Sequence, residues 1–139
     1  MEGKTVVVTG ASSGIGYETA RALAKRGARV LMVVRNRDKG QAAVERILAE
    51  KPSAQLDLVL ADLYSMAEVR RASAEIRANA PRVDVLVNNA GLIHDKRELT
   101  VDGCSSRNVS SATRTCASER RGPLTSRHAA VASSSSACA

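Results

Sequence analysis

The sequence predicts an α/β fold built on a doubly wound parallel sheet, and three observations support this. Four short runs are rich in β-branched residues and nearly continuous in apolar ones, as in strands covered on both faces. They are Thr5–Thr9, Arg29–Val34, Leu56–Ala61 and Val83–Val87. Three segments with helical apolar spacing separate these runs. Strands that alternate with helices in this way form parallel sheets through right-handed crossovers.

Each of the three predicted helices has an apolar stripe and a recognisable boundary signal. They are expected at about residues 14–26, 39–51 and 65–79. Gly27 follows the first helix as a stop signal. Ser65 is followed three residues later by Glu68, which is a capping-box signature for the start of the third helix. The inward stripe of the first helix is expected to consist of Ile15, Ala20, Leu23 and Ala24.

Length and composition limit the classes of protein. The chain has 139 residues, of which 44% are hydrophobic and 25% charged, so it is ordinary for one globular domain and too apolar for a wholly disordered chain. No apolar run approaches the roughly 18 residues of a membrane-spanning helix. The N-terminus lacks the apolar stretch of a signal peptide, and three cysteines are an odd number that fits no disulfide framework. A cytoplasmic, reducing compartment is therefore expected.

The composition changes after Gly103. Residues 1–103 carry 16 Lys and Arg against 13 Asp and Glu, whereas residues 104–139 carry five Arg against one Glu. The second segment also holds all three cysteines and ten serines, but a single leucine. Such a segment has too little apolar surface to offset the entropy of ordering it. We therefore expect a folded domain over residues 1–103 and a disordered, low-complexity tail over residues 104–139.

A glycine-rich loop lies between the first strand and the first helix. Its sequence, Gly10-Ala11-Ser12-Ser13-Gly14-Ile15-Gly16, spaces the glycines as G-x-x-x-G-x-G. Gly10 allows a sharp turn, Gly14 lets the backbone approach a phosphate, and Gly16 lets the helix pack closely on the strand. The N–H groups and dipole at a helix start suit a pyrophosphate, and the two serines add hydroxyl donors. A tight turn of small residues is the alternative, but the strand-to-helix junction favours a nucleotide site.

The end of the second strand indicates which dinucleotide binds. In dinucleotide-binding α/β folds, an Asp or Glu at the end of the second strand holds the ribose hydroxyls of NAD, whereas an Arg there accommodates the 2′-phosphate of NADP. Here the strand ends in Val34-Arg35-Asn36-Arg37, and no acid occurs before Asp38. Arg35 and Arg37 can both grip a phosphate, with Lys39 a weaker candidate. NADP(H) is therefore favoured over NAD(H), and a solvated basic loop is the alternative.

Two motifs make the chain resemble the short-chain dehydrogenase/reductase superfamily. They are the run from Thr9 to Gly16 and the segment Asn88-Asn89-Ala90-Gly91 after the fourth strand. Ala61-Asp62-Leu63, after the third strand, is another matching feature. The segments 35–39 and 99–103 are similar to the retinol-dehydrogenase-like and WW-domain-oxidoreductase-like branch. The resemblance covers about residues 3–103.

The resemblance implies a Rossmann fold with strand order 3-2-1-4, an NADP(H) cofactor, and hydride transfer between that cofactor and a carbonyl or alcohol. By the same resemblance, Arg35 faces the 2′-phosphate, and Asp62 with Leu63 meets the adenine. The segment Asn89-Ala90-Gly91 lines the adenine-ribose side and stabilises the central strand. The residues that hold the pyrophosphate are then Gly10, Ser12, Ser13, Gly14, Ile15 and Gly16.

The catalytic Tyr-x-x-x-Lys pair of that superfamily has no counterpart in this sequence. Tyr17 is followed four residues later by Arg21, Tyr64 by Glu68, and no lysine occurs after Lys96. His94 is expected to be a solvated loop residue, and His128 lies in the low-complexity tail. The cysteine spacing contains no C-x-x-C pair, so no metal site is expected. We therefore expect no catalytic residue and no activity. A shifted reading frame or mis-splicing after codon 103 explains this, with a genuine divergent tail as the alternative, and the coding DNA distinguishes the two.

The function expected from the sequence is an NADP(H)-dependent short-chain oxidoreductase by descent, present as a fragment. A non-catalytic nucleotide-binding module is the first alternative. An interaction protein that uses the basic tail is the second, although five scattered arginines without aromatic residues are a poor nucleic-acid site. The expected partner is a nicotinamide dinucleotide, bound weakly through its adenosine-phosphate end, and a carbonyl or alcohol substrate is expected only for a full-length relative. The fourth strand is expected to be an exposed sheet edge.

Overall fold

A four-stranded parallel sheet is the centre of the computed structural model, which describes residues 1–93 and 108–110. Its order is β3-β2-β1-β4, so both the α/β class and the predicted strand order are confirmed. The strands are β1 (Thr5–Thr9), β2 (Arg29–Val34), β3 (Gln55–Leu60) and β4 (Val85–Val87). The helices between them are α1 (Gly14–Lys25), α2 (Arg37–Glu50) and α3 (Met66–Asn79).

The helices cover both faces of the sheet. Side chains alternate along a strand, so Val6 and Val8 point to one face of β1 and Val7 points to the other. On the first face, α1 and α2 bury Val6 and Val8 in one apolar cluster that includes Ile47. On the second face, α3 packs over Val7 and contributes Ala72 to a separate cluster. Burial on both faces is why β1 and β2 are nearly continuously apolar.

The register of the strands brings their carboxyl ends to one edge. β1 lies between β2 and β4, and both pairings are parallel. Thr9, the last residue of β1, lies opposite Val33 of β2, and Val8 lies opposite Val87 of β4. The loops that follow the strands therefore meet at this edge, where open α/β sheets bind their ligands.

Helix α2 begins two residues earlier than the sequence predicted. The side-chain oxygen of Asn36 accepts the backbone N–H of Lys39 at 2.9 Å and so caps the helix. Arg37 and Asp38, which were predicted to precede the helix, therefore belong to its first turn. The acidic Asp38 suits that position because the N-terminus of a helix is partly positive.

The predicted inward stripe of α1 is wrong at Ile15. Its side chain is 80% exposed, whereas Ala20 and Ala24 are fully buried. Ile15 and Ala24 are nine residues apart, about two and a half turns, so they lie on opposite sides of the helix. Gly16 and Tyr17 are the buried residues of the first turn.

The predicted helix boundaries at Gly27 and Ser65 are confirmed, but the capping box at Ser65 is only half formed, because the N–H of Ser65 donates to the carbonyl oxygen of Asp62 and not to Glu68. Gly27 has a φ of +79° and follows the last turn of α1. At α3, the Ser65 hydroxyl accepts the backbone N–H of Glu68 at 3.4 Å. The Glu68 carboxylate bonds to the guanidinium of Arg71, an ion pair at 2.8 Å.

A second, two-stranded sheet follows β4. Its antiparallel strands, which the sequence did not predict, are β5 (Gly91–Ile93) and β6 (Asn108–Ser110). Within the described residues β4 has one neighbouring strand, β1, and its Leu86 is 57% exposed. The rest of the predicted tail and both histidines lie outside the described residues. No helix in residues 1–93 is long and apolar enough to cross a membrane.

Candidate functional site

A cleft of about 650 Å³ opens at the carboxyl edge of the sheet, between the loops that follow the four strands. Of the residues that the sequence predicted to contact a cofactor, Gly14 and Arg37 do not line it. Gly14 instead borders a neighbouring groove between α1 and α2. The predicted residues that the structure brings together along the cleft are Gly10, Ser12, Ser13, Ile15, Gly16, Arg35, Asp62, Leu63, Asn89, Ala90 and Gly91.

The glycine loop forms the first wall of the cleft. Gly10 has a φ of +68°, and its N–H donates to the carbonyl oxygen of Val33 at 2.8 Å, which ties the loop to the end of β2. A Cβ on Gly16 would overlap the carbonyl oxygen of Gly10 and the side-chain amide of Asn89. Gly16 therefore lets α1 pack on the loop and on Asn89, rather than on the strand as predicted. Gly14 has open space around it but a φ of +57°, so backbone conformation is what favours glycine there.

The start of α1 differs from the starts of the other two helices. Asn36 and Ser65 cap α2 and α3 with their side chains. Ser13 occupies the same position before α1, but its side chain makes no capping hydrogen bond. The first turn of α1 also contains no acidic residue. The N–H groups and the positive end of the dipole at α1 therefore remain available for an anion.

The hydroxyl of Thr9 joins β1 to the segment after β4. It donates to the carbonyl oxygen of Val87 at 3.3 Å and accepts the backbone N–H groups of Asn89 and Ala90 at 3.1 and 3.0 Å. The side-chain amide of Asn89 donates to the Thr9 carbonyl oxygen at 3.0 Å and to that of Gly10 at 3.4 Å. These bonds hold Asn89 and Ala90 against the base of the glycine loop.

Cationic residues lie where β2 ends. Arg35 is exposed and lines the cleft, and so does Lys39, in the first turn of α2. Arg37, the second arginine predicted to reach a phosphate, does not line the cleft. Asn36 fixes this corner by capping α2. The end of β2 thus presents two positive charges and no acidic side chain to the cleft.

The segment after β3 completes the cleft on the other side of β2. The carboxylate of Asp62 accepts the backbone N–H of Tyr64 at 2.9 Å, which is an Asx turn. Leu63 and Tyr64 both line the cleft beside Asp62. This turn leads directly into Ser65, the cap of α3.

The carboxyl groups with lowered pKa values lie away from the cleft. A hydrogen bond from Lys25 lowers the pKa of Glu50, and a hydrogen bond from Arg71 lowers the pKa of Glu68. The pKa of Asp84 is lowered first by the backbone N–H of Thr5 and then by Lys4. These pairs serve the fold, since none of the three carboxylates lines the cleft.

Sequence reasoning missed some of the residues that build this cleft. Thr9 was part of a predicted motif, but the three hydrogen bonds of its hydroxyl depend on partners far along the chain. Asn36 carried a recognisable signal, a cap residue before a helical pattern. Tyr64 carried none beyond its place after Asp62. Among the described residues no cluster of His, Cys, Asp and Glu could hold a metal ion, and the cysteines lie outside them.

The fold is a Rossmann-type α/β domain, and its cleft lies at the edge where such sheets bind dinucleotides. The family model for short chain dehydrogenase matches residues 4–133, and the chain belongs to that family. This match extends past Gly103, where the resemblance was predicted to end. The predicted likeness to the retinol-dehydrogenase and WW-domain-oxidoreductase branch is also confirmed by the relatives described next.

Relatives and a solved structure agree with this assignment. The chain is 42% identical over 105 residues to the WW domain-containing oxidoreductase of Drosophila melanogaster, covering 74% of this chain and 26% of that protein. It is 40% identical over 101 residues to human retinol dehydrogenase 13, covering 73% of this chain and 30% of that protein. A metagenomic short-chain oxidoreductase in complex with NADP matches with a TM-score of 0.62 and 37% identity, over 66% of this chain and 41% of that one. The chain thus spans less than a third of these curated relatives.

Proposed function

We propose that this chain binds NADP(H) in the cleft, chiefly through the adenosine-phosphate half of the dinucleotide. The observation that carries the proposal is the uncapped N-terminus of α1, which follows a glycine loop on the wall of the cleft. A pyrophosphate satisfies such N–H groups and is favoured by the helix dipole. Gly16 supports the same conclusion, because a side chain there would displace the loop that forms the cradle.

Different residues along the cleft would contact different parts of the dinucleotide. The pyrophosphate would be held by Gly10, Gly16 and the hydroxyls of Ser12 and Ser13. Gly14 would shape the loop, and Ile15 would line the cleft beside the pyrophosphate. Asn89, Ala90 and Gly91 would line the ribose side, where Asn89 is already held by Thr9. Asp62 and Leu63 would meet the adenine.

A preference for NADP(H) over NAD(H) is part of the proposal. Arg35 and Lys39 line the end of the cleft at β2, where an acidic residue would instead favour the free ribose hydroxyls of NAD. A guanidinium can bind a phosphate with two parallel hydrogen bonds. The solved relative in complex with NADP is consistent with this choice.

NADPH, when bound, supplies a hydride for transfer to a carbonyl carbon. This sequence contains no Tyr-x-x-x-Lys pair to supply the accompanying proton. We therefore propose that the 139-residue chain alone does not reduce aldehydes or ketones, although it shares its ancestry with the oxidoreductases of this family. The 139-residue chain would then act as a non-catalytic nucleotide-binding module of oxidoreductase descent.

Calorimetric titration of the full chain with NADPH and NADH tests this proposal. We expect NADPH to bind more tightly than NADH, with a dissociation constant weaker than low micromolar because only one half of the dinucleotide is held. Arg35→Ala should weaken NADPH binding about 10-fold and leave NADH binding unchanged, since it removes one charge-assisted phosphate contact. Arg70→Ala is the matched control, because Arg70 is exposed on α3 and does not line the cleft. Equal loss of both dinucleotides in Arg35→Ala would contradict the assignment of Arg35.

Two further measurements separate the alternatives. Absorbance of reduced nicotinamide with a panel of aldehydes and ketones, retinal included, should show no turnover, and turnover would overturn the non-catalytic part of the proposal. Replacing the arginines after Gly103 by glutamine should leave NADPH binding intact. If the chain instead acts through its basic tail, that variant loses nucleic-acid binding. The cytoplasmic location is also proposed, and fractionation of cells that express a tagged chain tests it.

A further inference from the structure

Tyr64 is the one aromatic residue that lines the cleft within the described part of the chain. The sequence has two tyrosines and neither Phe nor Trp. The other tyrosine, Tyr17, is buried in α1, where the guanidinium carbon of Arg46 lies 4.4 Å from the centre of its ring. Tyr17 borders the groove between α1 and α2 and does not line the cleft. The aromatic surface available to a bound ligand therefore comes from Tyr64.

The backbone of Tyr64 is fixed by its neighbours. Its N–H donates to the carboxylate of Asp62 at 2.9 Å, and the N–H of Ser65 donates to the carbonyl oxygen of Asp62 at 3.1 Å. Ser65 in turn caps α3 through its contact with Glu68. Tyr64 is thus held between the end of β3 and the start of a helix, and its side chain is half-buried. A ring on such a support loses little conformational freedom when it contacts a ligand.

The surroundings of Tyr64 suit a flat heteroaromatic base. Leu63 lines the same cleft and is half-buried, so it offers apolar surface next to Tyr64, whereas Val34 and Ala61, which also line the cleft, are nearly fully buried. Arg35, at the end of β2, lines the same cleft. Bases stack on aromatic side chains because both present flat π surfaces, and this attraction does not depend on which base is bound.

We infer that Tyr64 stacks on the adenine of a bound dinucleotide and so sets part of its affinity. The inference rests on the proposed function, because it assigns a further contact within the same cleft. It separates two roles at the adenine end. Asp62 offers a carboxylate to the edge of the base, whereas Tyr64 offers a ring to its face. Stacking needs the ring and not the hydroxyl, and that difference can be measured.

The experiment uses the full chain and 2′,5′-ADP, which carries the adenine, the ribose and the 2′-phosphate without the nicotinamide. Calorimetry compares the parent chain with Tyr64→Phe and Tyr64→Ala. We expect Tyr64→Ala to raise the dissociation constant at least about fivefold, the lower end of what a base–aromatic stack contributes. Tyr64→Phe should stay within about twofold of the parent because the ring is retained. Tyr17→Phe is the control, since Tyr17 does not line the cleft.

Fluorescence gives a second measurement that does not depend on how well Tyr64→Ala folds. In the Tyr17→Phe chain all tyrosine emission comes from Tyr64, because the sequence has no tryptophan. Stacking on adenine should quench this emission as 2′,5′-ADP is added, with the same dissociation constant that calorimetry gives.

The outcomes separate this inference from the proposed function. If the parent chain fails to bind 2′,5′-ADP, the proposed function and the inference fail together. If the parent binds but Tyr64→Ala binds equally well, or the emission of Tyr64 is unchanged, the inference alone is overturned. A loss in Tyr64→Phe as large as that in Tyr64→Ala also overturns it, because the hydroxyl would then be the contacting group.

Discussion

The side-chain amide of Asn89 donates a hydrogen bond of 3.0 Å to the carbonyl oxygen of Thr9, a residue 80 positions earlier in the chain. The Thr9 hydroxyl accepts the backbone N–H of Asn89 in return, at 3.1 Å. This reciprocal pair joins the end of β1 to the segment after β4. It also places the Asn89 amide where a Cβ on Gly16 would overlap it. Strand pairing, loop shape and the start of α1 therefore depend on the same two residues.

Thr9→Val should destabilise the fold by about 1 kcal/mol, because it leaves a partly buried backbone donor without its acceptor. Valine matches the shape of threonine but cannot accept the N–H of Ala90, which lies 3.0 Å from the hydroxyl. Urea unfolding measures the loss. Thr5→Val in the same strand is the control, because the hydrogen bond from Thr5 to the carboxylate of Asp84 is donated by the backbone N–H of Thr5, which valine keeps. Equal losses at the two positions would show that the hydroxyl of Thr9 has no special role.

Gly16→Ala should destabilise the fold more than Gly14→Ala. An added Cβ at Gly16 overlaps backbone of the loop, whereas nothing lies within 4 Å at Gly14. We expect about 3 kcal/mol for the overlap and about 1 kcal/mol for a left-handed alanine at Gly14. Gly3→Ala is the matched control for Gly14, since Gly3 has a φ of +70° and the same open space. Thermal or urea unfolding of the three variants decides the order, and a smaller loss at Gly16 than at Gly14 would contradict it.

Asp84→Asn should show a stability loss that depends on pH. The N–H of Thr5 and the ammonium of Lys4 lower the pKa of Asp84. Its carboxylate therefore stabilises the fold above the ordinary aspartate pKa of about 3.9, and this contribution disappears as the pH falls through the lower folded value. The parent should thus be more stable than Asp84→Asn at neutral pH, and the difference should shrink below about pH 4. Urea unfolding across pH measures it.

Lys4→Met provides the matching test for Asp84. The largest cause of its lowered pKa is the Thr5 backbone N–H, which this change leaves in place. Much of the pH dependence should therefore remain in Lys4→Met. A loss in Asp84→Asn that stays constant from neutral pH to about pH 2 would rule out the ionised carboxylate as its source.

Leu86→Lys should reduce self-association of the chain without lowering its stability. Leu86 is 57% exposed on β4, which has one neighbouring strand within the described residues. Apolar edge strands pair with other chains, and lysine on an edge opposes this pairing. Light scattering against concentration measures the effect. Ile15→Lys is the control, because Ile15 is 80% exposed but lies on α1, and an equal effect there would point to surface charge in general.

Much of the fold could be predicted from the sequence because its central strands, β1 and β2, are buried on both faces. Runs such as Arg29–Val34 are then nearly continuous in apolar residues and hard to confuse with amphipathic helices. The exact starts of the helices were harder, because they depend on single capping side chains such as Asn36. The exposure of Ile15 could have been deduced from helix geometry, since it faces away from Ala24.

The cleft could be anticipated because its motifs all follow strand ends, and parallel strands bring those ends together. The features of the cleft that could not be predicted depend on contacts between segments far apart in the sequence. The role of the Thr9 hydroxyl requires Asn89 to be beside it, and the position of Tyr64 requires the turn at Asp62. The proposed boundary at Gly103 stays a prediction, which limited proteolysis can test.

The separation between Thr9 and Asn89 has a consequence for how the chain acquires its shape during synthesis. The glycine loop and β2 leave the ribosome early, and they can pair while β4 is still untranslated. The wall built by Asn89 and Ala90 cannot form until β4 has docked beside β1. Closing so long a loop adds entropic cost and slows this last step relative to the local ones. Capture of a dinucleotide by ribosome-bound chains of increasing length would therefore mark the moment at which the fourth strand joins the sheet.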